Sequence, residues 1–228
     1  MFISDYYVYI IFQNLNGLRV CCRTAQEVFG AAVDTSISAL QWAMTELVTN
    51  PKAMEKAQLE IRRVLAGQQN VQEEALREMH YLKAVIRETL GPFLPKVCLN
   101  DQKIQGYDMP QGTVILINAW AISGDQKYWE DPETFMPERF DGERALDFRG
   151  SDFEFTPFGA GRRMCPGIAF AQANIEIALA SLLHHFDWEL PAGVKREEID
   201  MTEAFGLTVK RNSELLLRPI PRIPLAYE

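Results

Sequence analysis

From about Arg23 to Asn50 the chain reads as one long helix with no polar side. Between Val28 and Val48 only Asp34 and Glu46 are charged, and apolar residues fall nearly all round the helical period. A helix of that kind belongs in the middle of a large protein, because any face left in water exposes apolar surface. Asn50-Pro51 ends it, since proline disfavours helix in the residue before it. A membrane span fits less well, because Asp34, Thr35, Ser36, Ser38 and Gln41 cluster within the run.

The remaining pattern predicts a mainly α fold with small antiparallel β elements. Pro51 opens a second helix, with Gly67 just past its end. Glu73 to Leu90 predicts one or two more, with Leu82, Val85, Ile86 and Leu90 spaced as a buried face. Short β-prone runs follow at Lys96–Leu99, Lys103–Gln105 and Val114–Ile117, broken by Asn100-Asp101, Gly106 and Pro110. After a stretch punctuated by proline and glycine, Pro166 is expected to open a long helix reaching about His185. The tail from Phe186 to Pro221 again predicts short strands.

A formal net charge of −8 disfavours a nucleic-acid partner, whose phosphates demand a clustered basic surface. Cys21, Cys22, Cys98 and Cys165 show no Cys-x-x-Cys spacing and make no disulfide framework. The apolar run Tyr6 to Phe12 is too short to span a bilayer and lacks the charged start and cleavage site of a signal peptide. No membrane anchor is therefore expected in this chain.

One stretch carries chemistry. FTPFGAGRRMCPG contains Phe158-x-x-Gly161-x-Arg163-x-Cys165-x-Gly167. Each fixed residue has a task around a buried, thiolate-ligated iron. Cys165 supplies an anionic sulfur as the metal ligand. Pro166 suits a first helical position, which sets Cys165 near the positive end of the following helix, where backbone N–H groups stabilise the thiolate. Gly161 and Gly167 let the backbone turn tightly against a porphyrin. Arg163 suits a propionate, and Phe158 offers an aromatic shield for the sulfur. Average residue frequencies put a chance match at about one chain of this length in thirty thousand.

The motif resembles the signature of the cytochrome P-450 haem-thiolate monooxygenases. Ala31-Ala32-Val33-Asp34-Thr35-Ser36 resembles the family's distal helix, and Pro137-Glu138-Arg139-Phe140 the stretch before its haem loop. The phrases NAWAISGD, DPETFMPERF and MTEAFGLTV are similar to plant enzymes of specialised metabolism. The resemblance divides the chain into an atypical segment, 1–26, and a partial domain, 27–228, equivalent to the C-terminal half of the P-450 fold.

The resemblance implies haem b with Cys165 as axial ligand, and cofactor contacts from Phe158, Gly161, Arg163 and Gly167. It implies that Asp34 and Thr35 relay protons, although Ala32 stands where the family usually has the glycine of the helix kink. It further implies insertion of one oxygen atom from dioxygen into a small lipophilic substrate, touched near Phe29–Val33, Phe93–Val97 and Phe205–Leu207. An NADPH-dependent reductase would supply electrons. Family members sit on the cytoplasmic face of the endoplasmic reticulum by an anchor not expected here.

Two departures support a second expectation, of a truncated, non-catalytic remnant that does not hold haem stably. Glu88 should open a Glu-x-x-Arg pair, but Gly91 occupies the arginine position, leaving Glu88 to meet Arg139 with one cation fewer. Glu60/Arg63 and Glu74/Arg77 match the spacing by chance and do not precede the sheet. The chain is also about half the family's length. The distal helix is therefore expected to leave an apolar patch. A cysteine hydrolase is a third reading; it needs a histidine base, and only His80, His184 and His185 exist.

Overall fold

The long apolar segment forms α1, Asn16–Thr49, starting earlier than the pattern predicts and stopping, as expected, before Pro51. A computed structural model describes residues 16–90, 96–97, 100–141, 146, 152–204 and 208–223. Pro51 stands at the first position of α2, Pro51–Val64, and Gly67 follows in the left-handed region at φ +80°. The predicted run from Glu73 divides into a 3-10 turn, Glu73–Glu78, and α3, His80–Thr89.

The start of α3 has no cap of its own. Glu60 of α2 supplies one: its two carboxylate oxygens accept the backbone N–H groups of Tyr81 and Leu82, both at 2.9 Å. A carboxylate there satisfies two orphan donors and faces the positive end of the helix dipole. Glu60→Ala is expected to cost about 1–2 kcal/mol of stability, read as a lower urea midpoint of the purified chain. An unchanged midpoint would mean that water caps the helix equally well.

Strands are short and pair two by two, all antiparallel. β1 (Lys96–Val97) pairs with β4 (Val114–Ile115), and β2 (Gln102–Ile104) with β3 (Tyr107–Met109). The β2–β3 hairpin turns through Gln105 and Gly106 at φ +48° and +91°, so the residues read as strand breakers make the tight turn of a hairpin. β3 and the short α4, Ala119–Ser123, are not foreseen by the pattern; Asn118 caps α4 by accepting the Ala121 N–H at 3.0 Å.

The predicted late helix, α5, runs Ile168–His185. It starts two residues after Pro166, a correction to the expectation that proline opens it. Gly167 is the cap residue, and the Cys165 N–H is committed backward to the Phe158 carbonyl at 2.9 Å. Cys165-Pro166-Gly167 therefore belong to the preceding loop. In the tail, β5 (Phe186–Glu189) pairs with β8 (Arg218–Pro221), and β6 (Glu203–Ala204) with β7 (Lys210–Arg211).

The core lies where α1, α2, α3 and α5 meet, with Leu47, Ile61, Leu65, Leu82, Val85, Leu179 and Leu183 fully buried. Among the described residues α1 contributes to it from Ala39 onward. Ahead of that point Val28, Phe29, Val33 and Ile37 are 60%, 73%, 51% and 49% exposed, which is the apolar patch expected from the sequence. Ser38, one of the polar residues that argued against a membrane span, helps to dock the tail with Trp42 and Thr45. The Val209 carbonyl accepts from Ser38 Oγ and from Trp42 Nε1, and Thr45 Oγ1 accepts from Arg211 at 2.8 Å. Among the described residues no helix is long and apolar enough to cross a membrane.

Candidate functional site

Cys165 sits at the end of a loop that folds on itself before α5 begins. Gly159 N–H donates to the Thr156 carbonyl, Met164 N–H to Gly161, and Cys165 N–H to Phe158, each within 3.0 Å. Gly159 and Gly161 lie at φ +72° and +73°, a region costly for other residues. The chain thereby reverses twice within seven residues and delivers a free, half-buried thiol three residues ahead of an 18-residue helix. Backbone N–H groups at that helix start are unsatisfied and favour negative charge nearby.

Phe158, Gly161, Arg163, Cys165 and Gly167 are thus gathered in one loop. A side chain at Gly161 would meet nothing within 4 Å, and one at Gly167 would stand 3.8 Å from the Cys165 Sγ. Gly167 is at φ −92°, so its value is the open space beside the sulfur rather than its backbone freedom. Arg163 is exposed. The unobstructed Gly161, a sulfur donor and an exposed guanidinium fit a flat, anionic, metal-bearing prosthetic group such as haem.

The loop rests on an aromatic base. Trp129, Phe140 and Phe155 pack with ring centroids 4.8–6.1 Å apart. Ala84 of α3 joins them, and Phe158 and Ile168, one on each side of Cys165, pack against the group. α3 is tied to the same region by a buried knot. Arg139 Nε lies 3.0 and 2.9 Å from the two oxygens of Glu88, with side chains only 11% and 9% exposed. Glu88 also accepts the Met136 N–H at 2.9 Å. The other Arg139 nitrogens donate to the carbonyls of Glu130, Asp131 and Thr134. Burial is the main reason that the Glu88 carboxyl stands above its ordinary pKa; Arg139 pulls the other way.

Asp34 and Thr35 sit on α1, which packs along α5. Both are exposed. The Thr35 hydroxyl donates to the Ala31 carbonyl one turn back, at 2.6 Å. Asp34 Oδ2 is 2.9 Å from Lys210 Nζ of β7, a partner that local sequence offers no sign of. Gly91, Phe93–Pro95 and Phe205–Leu207 lie outside the described residues. His184 and His185 stand at the far end of α5, about 25 Å along the helix from Cys165 at 1.5 Å per residue, and their rings bond main-chain carbonyls. They cannot serve as a base for Cys165, which removes the hydrolase reading for that pair.

Residues 21–216 match the family model for cytochrome P450. The chain is 48% identical to a desmethyl-deoxy-podophyllotoxin synthase of Sinopodophyllum hexandrum over 85% of its own length and 39% of that protein. It is 50% identical to cytochrome P450 71D10 of Glycine max, over 87% and 40%. A germacrene A hydroxylase of Barnadesia spinosa shares 48%, over 89% and 41%. The chain therefore spans about two fifths of the length of these curated relatives.

Proposed function

The chain belongs to the cytochrome P450 family, and from that premise we propose that it carries the haem-binding part of a monooxygenase. The reaction is insertion of one oxygen atom from dioxygen into a small lipophilic substrate, with NADPH electrons delivered by a reductase. The carrying observation is the Cys165 loop: a half-buried sulfur beside open space at Gly161 and Gly167, ahead of the α5 N-terminus. A relative named as a germacrene A hydroxylase supports a hydroxylation reaction.

In this reading Cys165 would hold the iron of haem b through its thiolate, and Arg163 would meet a propionate. Phe158 and Ile168 hold the two ends of the loop on the aromatic base, so the sulfur is presented at a fixed height. Haem, when bound through a thiolate, supplies the oxidising chemistry. Asp34, half in water, collects protons from solvent and passes them inward past Thr35. The Thr35 hydroxyl proton is held by Ala31, which leaves the oxygen lone pairs as the acceptor.

The test is to express the chain with haem supplied and record the reduced, carbon-monoxide-bound spectrum. A thiolate-type band that vanishes in Cys165→Ala is expected. Haem retention that is identical in the two proteins would defeat the assignment of Cys165. The exposed Val28, Phe29, Val33 and Ile37 favour a second reading, in which this stretch alone retains haem poorly. That reading predicts no band in either protein, and a band restored when the chain is extended to the relatives' full length.

A further inference from the structure

The ion pair between Asp34 and Lys210 stands in an unusual setting. Three consecutive tail residues meet one face of α1: Val209 is gripped by Ser38 and Trp42, Lys210 reaches Asp34, and Arg211 donates to Thr45. Asp34, Ser38, Trp42 and Thr45 fall at helical spacings of four, four and three, a single stripe. The strand is therefore docked without the ion pair. Arg211 is itself buried and lies over the Trp42 ring, 5.6 Å from its centroid. The pair is open to water, with Lys210 and Asp34 side chains 50% and 56% exposed. An ion pair that open contributes little to stability. What it does supply is orientation, because the ammonium is carried on a backbone fixed to the helix on both sides of it.

We infer that Lys210 is a positioning residue that acts through Asp34, holding the carboxylate in one rotamer on the tail-facing side of α1. The inference rests on the relay reading of Asp34 and Thr35 for its functional meaning. Its structural content stands separately: an acid that delivers protons repeatedly has to return to one place after each transfer, and an anchored cation provides that return. Thr35 is fixed by its own helix through Ala31, so Asp34 is the member of the pair that needs an external guide.

The decisive measurement is the Asp34 χ1 rotamer, read from three-bond NMR couplings in the purified chain. A single rotamer is expected in the wild type, averaged couplings in Lys210→Met, and a single rotamer again in Lys210→Arg. The Trp42 indole N–H resonance, which reports docking of the tail, stays in place in all three. Averaging already present in the wild type, or none in Lys210→Met, overturns the inference; so does a shifted Trp42 resonance, which assigns Lys210 to docking instead. In the haem-loaded chain supplied with NADPH and a reductase, Asp34→Asn and Lys210→Met should each raise peroxide release per NADPH consumed several-fold, with Lys210→Arg restoring the wild-type value. If Asp34→Asn leaves that ratio alone, the relay reading fails while the rotamer result stands. If Asp34→Asn raises it and Lys210→Met does not, the positioning role fails.

Discussion

Arg139→Ala should lower the stability of the chain by about 3–5 kcal/mol, the cost of leaving one partner of a buried ion pair behind. Glu88 would keep its Met136 N–H but lose its cation while only 9% exposed. The carbonyls of Glu130, Asp131 and Thr134 would lose their donors at the same time. Because burial already raises the Glu88 pKa, the variant can relieve part of the strain by protonating Glu88. The loss should therefore grow as pH rises. Arg139→Lys keeps the charge but cannot fork to four acceptors, so it should fall between the two. Urea unfolding followed by tryptophan fluorescence reads the midpoint, since Trp129 lies beside the Arg139 guanidinium. A loss below about 1 kcal/mol would class the knot with surface ion pairs.

The second large effect concerns Glu46 on α1, whose carboxyl is pushed up to about 7, first by burial and then by the nearby Glu88, with Arg211 opposing. The sign follows from linkage. The folded chain binds the Glu46 proton more tightly than the unfolded chain, whose glutamates titrate near 4.5. The contribution is complete below that value and is lost as pH rises to about 7. After discounting for partial exposure, wild type should lose about 2 kcal/mol from this group across the window. Glu46→Gln should lack that loss and be the more stable protein at pH 8, with the two converging near pH 4. Parallel pH slopes for the two proteins would contradict the assignment. Combined with Glu88→Gln the gains should not add, because the Glu88 charge is itself one of the reasons that the Glu46 carboxyl is raised.

That Phe158, Gly161, Arg163, Cys165 and Gly167 form one structural unit was legible because they are contiguous. Five positions within ten residues need each other locally, and sequence displays local need directly. Helices ended where Pro51 and Gly67 said they would, for the same reason. What stayed hidden depends on partners far along the chain. Glu60 reads as half of a chance Glu-x-x-Arg match, and its task appears only when α3 arrives twenty residues later to be capped. Asp34 and Thr35 read as a matched pair, yet one bonds its own helix and the other a lysine in the tail. β3 was obscured because Gly106, taken as a breaker, is also what a two-residue hairpin turn requires. Gly91 lies outside the described residues; Glu88 meets Arg139, as expected, and also accepts the Met136 N–H, while the carbonyls of Glu130, Asp131 and Thr134 take up the other Arg139 nitrogens.

That surrounding has a consequence for the order of folding. Three of the four groups that Arg139 engages come from residues five to nine positions before it, and only Glu88 is distant in sequence, by 51 residues. Closing so short a loop is entropically cheap, whereas bringing Glu88 in costs more. The segment from Glu130 to Asp141 can therefore wind around its own guanidinium early, as a preformed plug. It meets α3 at the Glu88 carboxylate, with Phe140 packed in one cluster with Ala84 of the same helix. Changes at Glu88 should then act mainly on how fast the native chain comes apart, and changes at Arg139 also on how fast it comes together.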